Sequence, residues 1–406
     1  MNPIGKNFSK NLVTELGLFP KEWKVIRLEE VAKIKYGKAK PKNKGKIPVY
    51  GSGGIYDKVD KALVNYPTLI IGRKGSAGRV WLAREPCWAS DTTFFLEWKK
   101  ELDVSFVYYY FLFNPLSGKH VKTTLPSIQV SELEQYKIPL PPLPEQKAIA
   151  GVLKTIQDAI EATERVIAAA KELKKSLMRH LFTYGPVSVS ERDRVRLKQT
   201  EIGPIPEDWE VVRLGEVVDI ENGYAFKSED YVDEGILNFR VINIVENGKI
   251  DVSKDCKYLP YEFAKKYAKY LLNAGDIILV MVGATRGKLV LISEDILPAL
   301  LNQNMWRLKP KDKNLNNIYF YFYLLHEMPL FTRKLSEEAR GFFKKKELKN
   351  LPIPLPPLPV QQKIAQILKA VDDKISAEEK KKEALQALFK TMLHHLMTGK
   401  IRVRRE

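Results

Sequence analysis

The sequence predicts an α+β protein in which two globular domains are separated by two long antiparallel helices. The helices pair as a coiled coil, and an approximate two-fold axis relates the halves. Three observations predict this. First, residues 139–153 read PLPPLPEQKAIAGVL and residues 354–368 read PLPPLPVQQKIAQIL, ten identities in fifteen at an offset of 215. The match runs on ungapped through Ile160 and Ile375, His180 and His395, Leu181 and Leu396, and Thr183 and Thr398. A repeat of this size decides architecture ahead of any single element. Second, residues 19–28 (FPKEWKVIRL) return as residues 205–214 (IPEDWEVVRL) at an offset of 186. Third, each proline run opens a stretch without helix breakers, Gly151 aside, that lasts until Gly185 or Gly399. Each stretch makes a helix of roughly 38 residues, about 57 Å long at 1.5 Å per residue, a length that suits a coiled coil.

In chain order, residues 1–144 hold a polar arm (1–19) and the first domain. Residues 35–46 (KYGKAKPKNKGK) read as a loop bearing six lysines, and residues 50–56 (YGSGGIY) as a glycine-rich turn. Residues 69–71, 79–82 and 92–96 read as short strands. Residues 72–78 (GRKGSAG) join the first two, and residues 103–113 form an aromatic helix. Residues 125–130 (LPSIQV) are a further loop. The proline run is expected to be extended polyproline, because proline fixes φ and lacks a backbone donor.

The first long helix occupies 145–185. Ile149, Val152, Ile156, Ala159, Thr163, Val166, Ala170, Leu173 and Leu177 alternate three and four apart along it. Residues 186–205 are a linker, polar and charged over 188–199. The second domain, 206–359, repeats the order: strand 276–282, turn 283–287 (GATRG), strands 288–292 and 301–308, and an aromatic helix 318–326. Residues 340–344 (RGFFK) stand where LPSIQ stands in the first. The inserts are therefore diverged copies, the second longer by 29 residues, the difference between the two offsets. The second helix and tail occupy 360–406. Ile364, Ile367, Val371, Leu385, Leu388 and Met392 hold its stripe, and Lys374, Glu378 and Lys381 loosen the middle. The alternative arrangement is two amphipathic helices, each lying on its own domain.

Composition bounds the function. A chain of 406 residues, 45% hydrophobic, holds two or three domains with real cores. No run has the length of a membrane span. Cys87 and Cys256 have no CxxC spacing, so a reducing cytoplasm fits better than a disulfide framework. A net charge of +18 points to a polyanionic partner.

Enzyme signatures fail one by one. Residues 283–288 (GATRGK) and 72–79 (GRKGSAGR) lack the GxxxxGK[ST] spacing that puts a lysine and a hydroxyl on phosphates. Asp91, Glu97 and Lys99 loosely resemble a nuclease metal site, but the repeat places Gln303 and Lys309 opposite the two carboxylates. No HExxH or NPPY-like motif occurs. What remains is binding. Lysines and arginines in corresponding loops neutralise phosphates, and polar side chains read base edges. The candidates are Lys38, Lys40, Lys42, Arg73, Lys74, Arg79, Ser127 and Gln129 in the first half. In the second they are Lys227, Asn243, Arg286, Lys288, Asn302, Gln303, Arg340 and Lys344.

The doubled PLPPLPEQKAIA and PLPPLPVQQKIA, each opening a long helix, the motif around Trp23 and Trp209, and the turns GRKGSAG and GATRG resemble the specificity subunits of type I restriction–modification systems. The resemblance spans nearly the whole chain; Val360 departs from it where Glu145 holds the usual acidic residue. It implies two target-recognition domains, each reading half of a split DNA site, with the helices setting the unread spacer. It implies two methyltransferase subunits docked along the chain and nuclease–translocase subunits beyond them. S-adenosylmethionine, ATP and magnesium belong to those partners, and no catalysis to this chain. A 57 Å ruler bounds the separation of half-sites at roughly 17 base pairs. The rival from another class is a coiled-coil scaffold that binds only proteins.

Overall fold

A computed structural model describes residues 11–14, 16–116, 127–245, 248–336 and 342–403 of the protein. The chain divides into two compact units, Met1–Arg165 with Glu379–Glu406, and Val166–Glu378. The boundary falls inside both long helices.

The first half runs β1 (Asn11–Thr14), β2 (Gly17–Pro20), β3 (Lys24–Arg27), β4 (Ala32–Tyr36), β5 (Lys44–Gly51), β6 (Gly54–Val59), β7 (Thr68–Gly72), β8 (Val80–Ala83), β9 (Trp88–Ala89), β10 (Thr93–Trp98), α1 (Val104–Phe113), α2 (Val130–Glu134), β11 (Lys137–Leu140) and α3 (Leu143–Tyr184). The second runs β12 (Leu197–Thr200), β13 (Gly203–Pro206), β14 (Glu210–Arg213), α4 (Leu214–Val217), β15 (Val218–Asn222), β16 (Ile236–Phe239), β17 (Tyr258–Leu259), α5 (Phe263–Lys266), β18 (Ile277–Val280), β19 (Leu289–Leu291), β20 (Ala299–Leu301), β21 (Met305–Pro310), α6 (Asn317–Ser336), α7 (Lys345–Lys349), β22 (Pro352–Leu355) and α8 (Leu358–Met397).

The two inserts share one topology. The first unit has a sheet in the order β4-β10-β7-β8 and a smaller one, β6-β5-β9; the second has β15-β21-β18-β19 and β17-β16-β20. In each smaller sheet the central strand has one antiparallel and one parallel neighbour. Lys38 bridges Ser90 and Tyr224 bridges Asn302 in the same parallel sense. Glu97 faces Lys33 while Lys309 faces Asp219. Gln303 and Lys309 thus stand where Asp91 and Glu97 stand, as the repeat predicts. Ile70 and Ile278 occupy the same place in their ladders. Of the 29 extra residues of the second half, 22 therefore lie between Tyr224 and Ile278.

A glycine marks each of these crossings. A Cβ on Gly37 would lie 1.9 Å from the Ser90 carbonyl oxygen, and one on Gly223 1.8 Å from that of Asn302. Gly37→Ala and Gly223→Ala are each expected to cost about 1–3 kcal/mol, since backbone must move. Urea titration of each variant checks this, and an unchanged midpoint contradicts the close crossing.

Four expectations change. The single strand at 301–308 is two strands in different sheets, because Asn304 takes a left-handed turn with φ 70° between them, a conformation asparagine tolerates. The linker at 188–199 is structured: Val189–Arg194 forms a 3-10 turn and β12 pairs with β13. This hairpin repeats β1–β2 at the 186 offset, and the shared Thr-Glu-x-Gly of residues 14–17 and 200–203 marks it. The proline runs are not polyproline. Pro139 and Pro354 sit in two-stranded ladders opposite Val25 and Val211, where an edge position spares the missing donor. Pro144 and Pro359 enter the first helical turn, where proline is favoured. The helices are accordingly longer than expected, 42 and 40 residues, about 63 and 60 Å.

The fourth change concerns the helix faces. Ile149 and Ile364 are fully buried, and Val152, Ile156, Leu177, Ile367, Val371 and Leu385 are half-buried. Val166, Leu173 and Leu388 are 43%, 53% and 46% exposed. Ile167 is buried in place of Val166 and Lys174 half-buried in place of Leu173, while Met178 is buried beside the half-buried Leu177, which packs on the same core. The helices pack on aromatic helices as well as on each other, which turns the stripe by one residue. In the second unit Lys174 lies over the Phe322 ring at 5.0 Å and pairs with Asp372 at 2.6 Å. Phe182 meets Tyr319, Tyr323 and His326, and Ile364, Ala365 and Leu368 share that core. In the first unit Ile149, Ala150 and Leu153 share a core with α1 and with Leu396 and Met397. There Glu164 pairs with Lys382 at 2.8 Å, and Glu145, near the start of α3, meets Arg402 beyond the end of α8. The pairing is antiparallel.

Two buried glutamines from the proline-run motif lock each domain to its helix. Gln146 accepts from the Asp103 amide at 2.9 Å and donates to the Pro141 carbonyl at 2.8 Å. Gln361 accepts from the Asn316 amide at 2.8 Å and donates to the carbonyls of Pro356 and Asn314.

Candidate nucleic-acid interface

In the first unit three segments meet at one rim. The loop after β7 closes on itself, with Gly78 donating to the Gly72 carbonyl and Gly72 to that of Arg79, each at 2.8 Å. Gly75 and Gly78 take φ of 72° and 79°, which only glycine adopts freely. Arg73 donates its amide to Thr92, and its carbonyl accepts from Ile128; Lys74 bridges Ser127. The Arg73 guanidinium lies over the ring of Tyr36 at 5.3 Å, and that ring is 54% exposed. Arg79 lies over Trp81 at 5.5 Å. Stacking holds a guanidinium flat while leaving its edge donors available to phosphate or guanine.

The remaining candidates of this half divide. Lys38 is exposed and joins the rim through its bridge to Ser90. Lys40 pairs with Asp57; that hydrogen bond holds its ammonium above the ordinary lysine range, although the pair is solvated. Lys42 is exposed on the same loop. Gln129 opens α2, its amide donating to Glu132 at 2.8 Å.

The second unit repeats the rim with other chemistry. Phe342 bridges Val282, and Phe343 donates to the Met281 carbonyl at 2.9 Å. Gly283 and Gly287 take φ of 75° and 88°. Arg286 lies over the Phe343 ring at 5.3 Å. Gln303 is exposed and donates its amide to Tyr224 at 2.9 Å. Lys344 opens α7 as Gln129 opens α2, donating to Glu347 at 3.1 Å. Asn302 is half-buried, with its amide on Asn238 at 3.0 Å.

Asn243 is corrected. It is fully buried, accepting from the Arg240 amide at 2.9 Å and donating to the Asp251 carbonyl at 3.3 Å, so it shapes a loop and is not available to a base. Lys288 is half-buried, its ammonium 3.4 Å from the Ile244 carbonyl. Lys227 is exposed and paired with Glu229. Arg340 lies outside the described residues.

Sequence reasoning missed the aromatic partners. Tyr36 precedes Gly37 and Tyr224 follows Gly223, and both tyrosines flank the rims; an aromatic beside a crossing glycine was the available signal. Tyr224 packs against Tyr267 at 4.8 Å and Tyr270 at 5.2 Å. Two of the three groups of the loose nuclease resemblance have other partners. Glu97 pairs with Lys35 at 3.4 Å, and Lys99 donates to the Glu29 carbonyl at 2.5 Å. Among the described residues no cluster of three His, Cys, Asp or Glu could hold a metal ion, and no helix is long and apolar enough to cross a membrane.

Known proteins share this architecture. The model of the type I restriction modification DNA specificity domain matches residues 20–172 and again 206–387. The MjaVIII type I specificity subunit of Methanocaldococcus jannaschii is 31% identical over 95% of this chain and 94% of its own length. The EcoBI specificity subunit of Escherichia coli is 24% identical over 79% of this chain and 69% of its own. The crystal structure of a type I S subunit from M. genitalium superposes with a TM-score of 0.68 at 19% identity, over 92% of this chain and 96% of that one. With two matched domains that together span most of its length, the chain belongs to the type I restriction–modification DNA specificity family.

Proposed function

We propose that the chain is the DNA-recognition subunit of a type I restriction–modification complex, with each domain reading one half of a bipartite, asymmetric site. The observation that carries this is the pair of rims: one topology, two chemistries. Arg73, Lys74 and Ser127 stand on one; Arg286, Gln303 and Lys344 stand on the other. Equivalent rims with unlike side chains select unlike half-sites. Stacked guanidiniums and loop lysines supply phosphate contacts, and Gln303, Ser127 and the arginine edges supply base contacts. The paired helices set the spacer and dock two methyltransferase subunits, with nuclease–translocase subunits joining in the cytoplasm. The chain carries no catalysis. S-adenosylmethionine, ATP and magnesium act on those partners.

Long-read methylation mapping tests the proposal in a host expressing the cognate methyltransferase with and without this chain. A split adenine motif that appears only with the chain is the expected outcome. Methylation unchanged by the chain, with an active methyltransferase, favours the protein-binding scaffold. Steep loss of DNA affinity with salt separates the two readings in vitro.

A further inference from the structure

In the second unit a cleft of about 350 Å³ opens between β15, α7 and the residues after α5. Lys269, Lys345 and Lys349 converge on it, beside Asn222 and Tyr270. Two carboxylates also line it, and both have cationic partners. Glu221 accepts from Arg307 at 2.6 Å, and Asp219 lies 4.0 Å from Lys311. Arg307 is itself buried and bound further to Asp276 and to the carbonyls of Leu271 and Lys269. With these pairs set aside, three ammoniums share one cleft. Lys345 spends one donor on the Ile220 carbonyl at 2.8 Å. Burial and the neighbouring Lys349 hold it below the ordinary lysine range, partly offset by Glu221, with Lys269 adding to the depression. Like charges gathered in a cleft lower one another's stability unless an anion joins them.

Among the described residues the first unit lacks this arrangement, so the fold does not demand it. Lys33 and Lys35 stand on β4 where Asp219 and Glu221 stand on β15. At the 215 offset Val130 and Glu134 stand where Lys345 and Lys349 stand. Lys269 belongs to the stretch between Tyr224 and Ile278 that holds most of the extra residues. The cleft also adjoins the rim: Tyr270 packs on Tyr224 at 5.2 Å, Asn222 precedes Gly223, and Lys345 follows Lys344.

We propose that Lys269, Lys345 and Lys349 seat one phosphate of the DNA backbone beside the second half-site, an anchor that the first domain does not have. This rests on the DNA-recognition reading above. The anchor carries no sequence information; it fixes the register in which the Tyr224 and Gln303 rim meets the bases.

The test uses the full chain assembled with its methyltransferase subunits and a duplex carrying the mapped motif, with binding followed over a range of NaCl concentrations. The variants are Lys269→Gln with Lys349→Gln, both at exposed positions that leave the fold intact, and the triple variant that adds Lys345→Gln. The expected result is weaker binding to every duplex, with sequence preference kept and the slope of log affinity against log salt shallower by about 0.9 for the lost phosphate. A second set of duplexes carries one uncharged methylphosphonate at successive linkages through the second half-site. Wild type is expected to lose affinity severalfold at one linkage, and the triple variant to lose none there. An unchanged salt slope, or equal loss by wild type and variant at every linkage, overturns the seat. A wild-type complex that shows no preference for the mapped duplex overturns the recognition reading itself.

Discussion

Trp23→Ala is expected to destabilise the first unit by about 3–5 kcal/mol, the range for emptying a buried indole site. Trp23 is 1% exposed, stacked on Phe19 at 5.7 Å and edge-on to Phe106 at 6.3 Å. Its indole N–H donates to Glu145 at 3.2 Å. Glu145 is itself 7% exposed and accepts from Arg402 through two further bonds. The first unit therefore closes with a charged clamp in which the C-terminal tail holds the start of α3. The second unit buries Trp209 to 2% exposure in the equivalent place, but Val360 stands where Glu145 would. The phenylalanine variants separate packing from clamp. Trp23→Phe removes a donor from a buried carboxylate and should cost about 1–2 kcal/mol more than Trp209→Phe, which removes none from that position. Urea denaturation followed by circular dichroism measures both. Equal costs would mean that the indole–carboxylate bond contributes nothing to the first unit.

The clamp also shows where sequence reasoning stops. The repeat made Glu145 against Val360 visible as a difference, yet nothing in the sequence says that Arg402, 257 positions away, supplies its partner. Features that recur were legible. The duplicated topology, the aromatic helices, the glycine loops and the equivalence of Asp91 with Gln303 all follow from aligning one half with the other. Features set by what packs against an element were not. Leu173 and Leu388 fit a two-helix seam by spacing, but α3 and α8 also receive α1 and α6, so the buried face turns and Ile167 and Met178 take the inside. Asn243 has the residue type of a base reader, but the Arg240 amide and the Asp251 carbonyl hold the two ends of its side-chain amide. Arg73 and Arg286 stand out by charge, whereas the rings they stack on, Tyr36 and Phe343, lie on other segments of the chain.

Matched deletion of one heptad from each long helix, residues 161–167 of α3 and 379–385 of α8, is expected to shorten the DNA spacer by about three base pairs, since seven residues span about 10 Å. The choice of residues follows from the pairing. Glu164 faces Lys382, so the two segments lie opposite each other and leave together. Seven residues also leave the helix face nearly in phase, because an α-helix drifts only about 20° per heptad. The cores at both helix ends then keep their partners: Ile149 and Leu153 with Leu396 in the first unit, Met178 and Phe182 with Leu368 and Ile364 in the second. A matched five-residue deletion is the control. At about 100° per residue it turns each face by about 140°, which places lysines and glutamates against the cores and is expected to abolish folding. Methylation mapping with the heptad variant reads the result directly. The two half-sites should be unchanged, because no rim residue is touched, and only the number of unread bases between them should fall. A spacer of the original length, carried by a folded heptad variant, would mean that something other than the paired helices sets the distance.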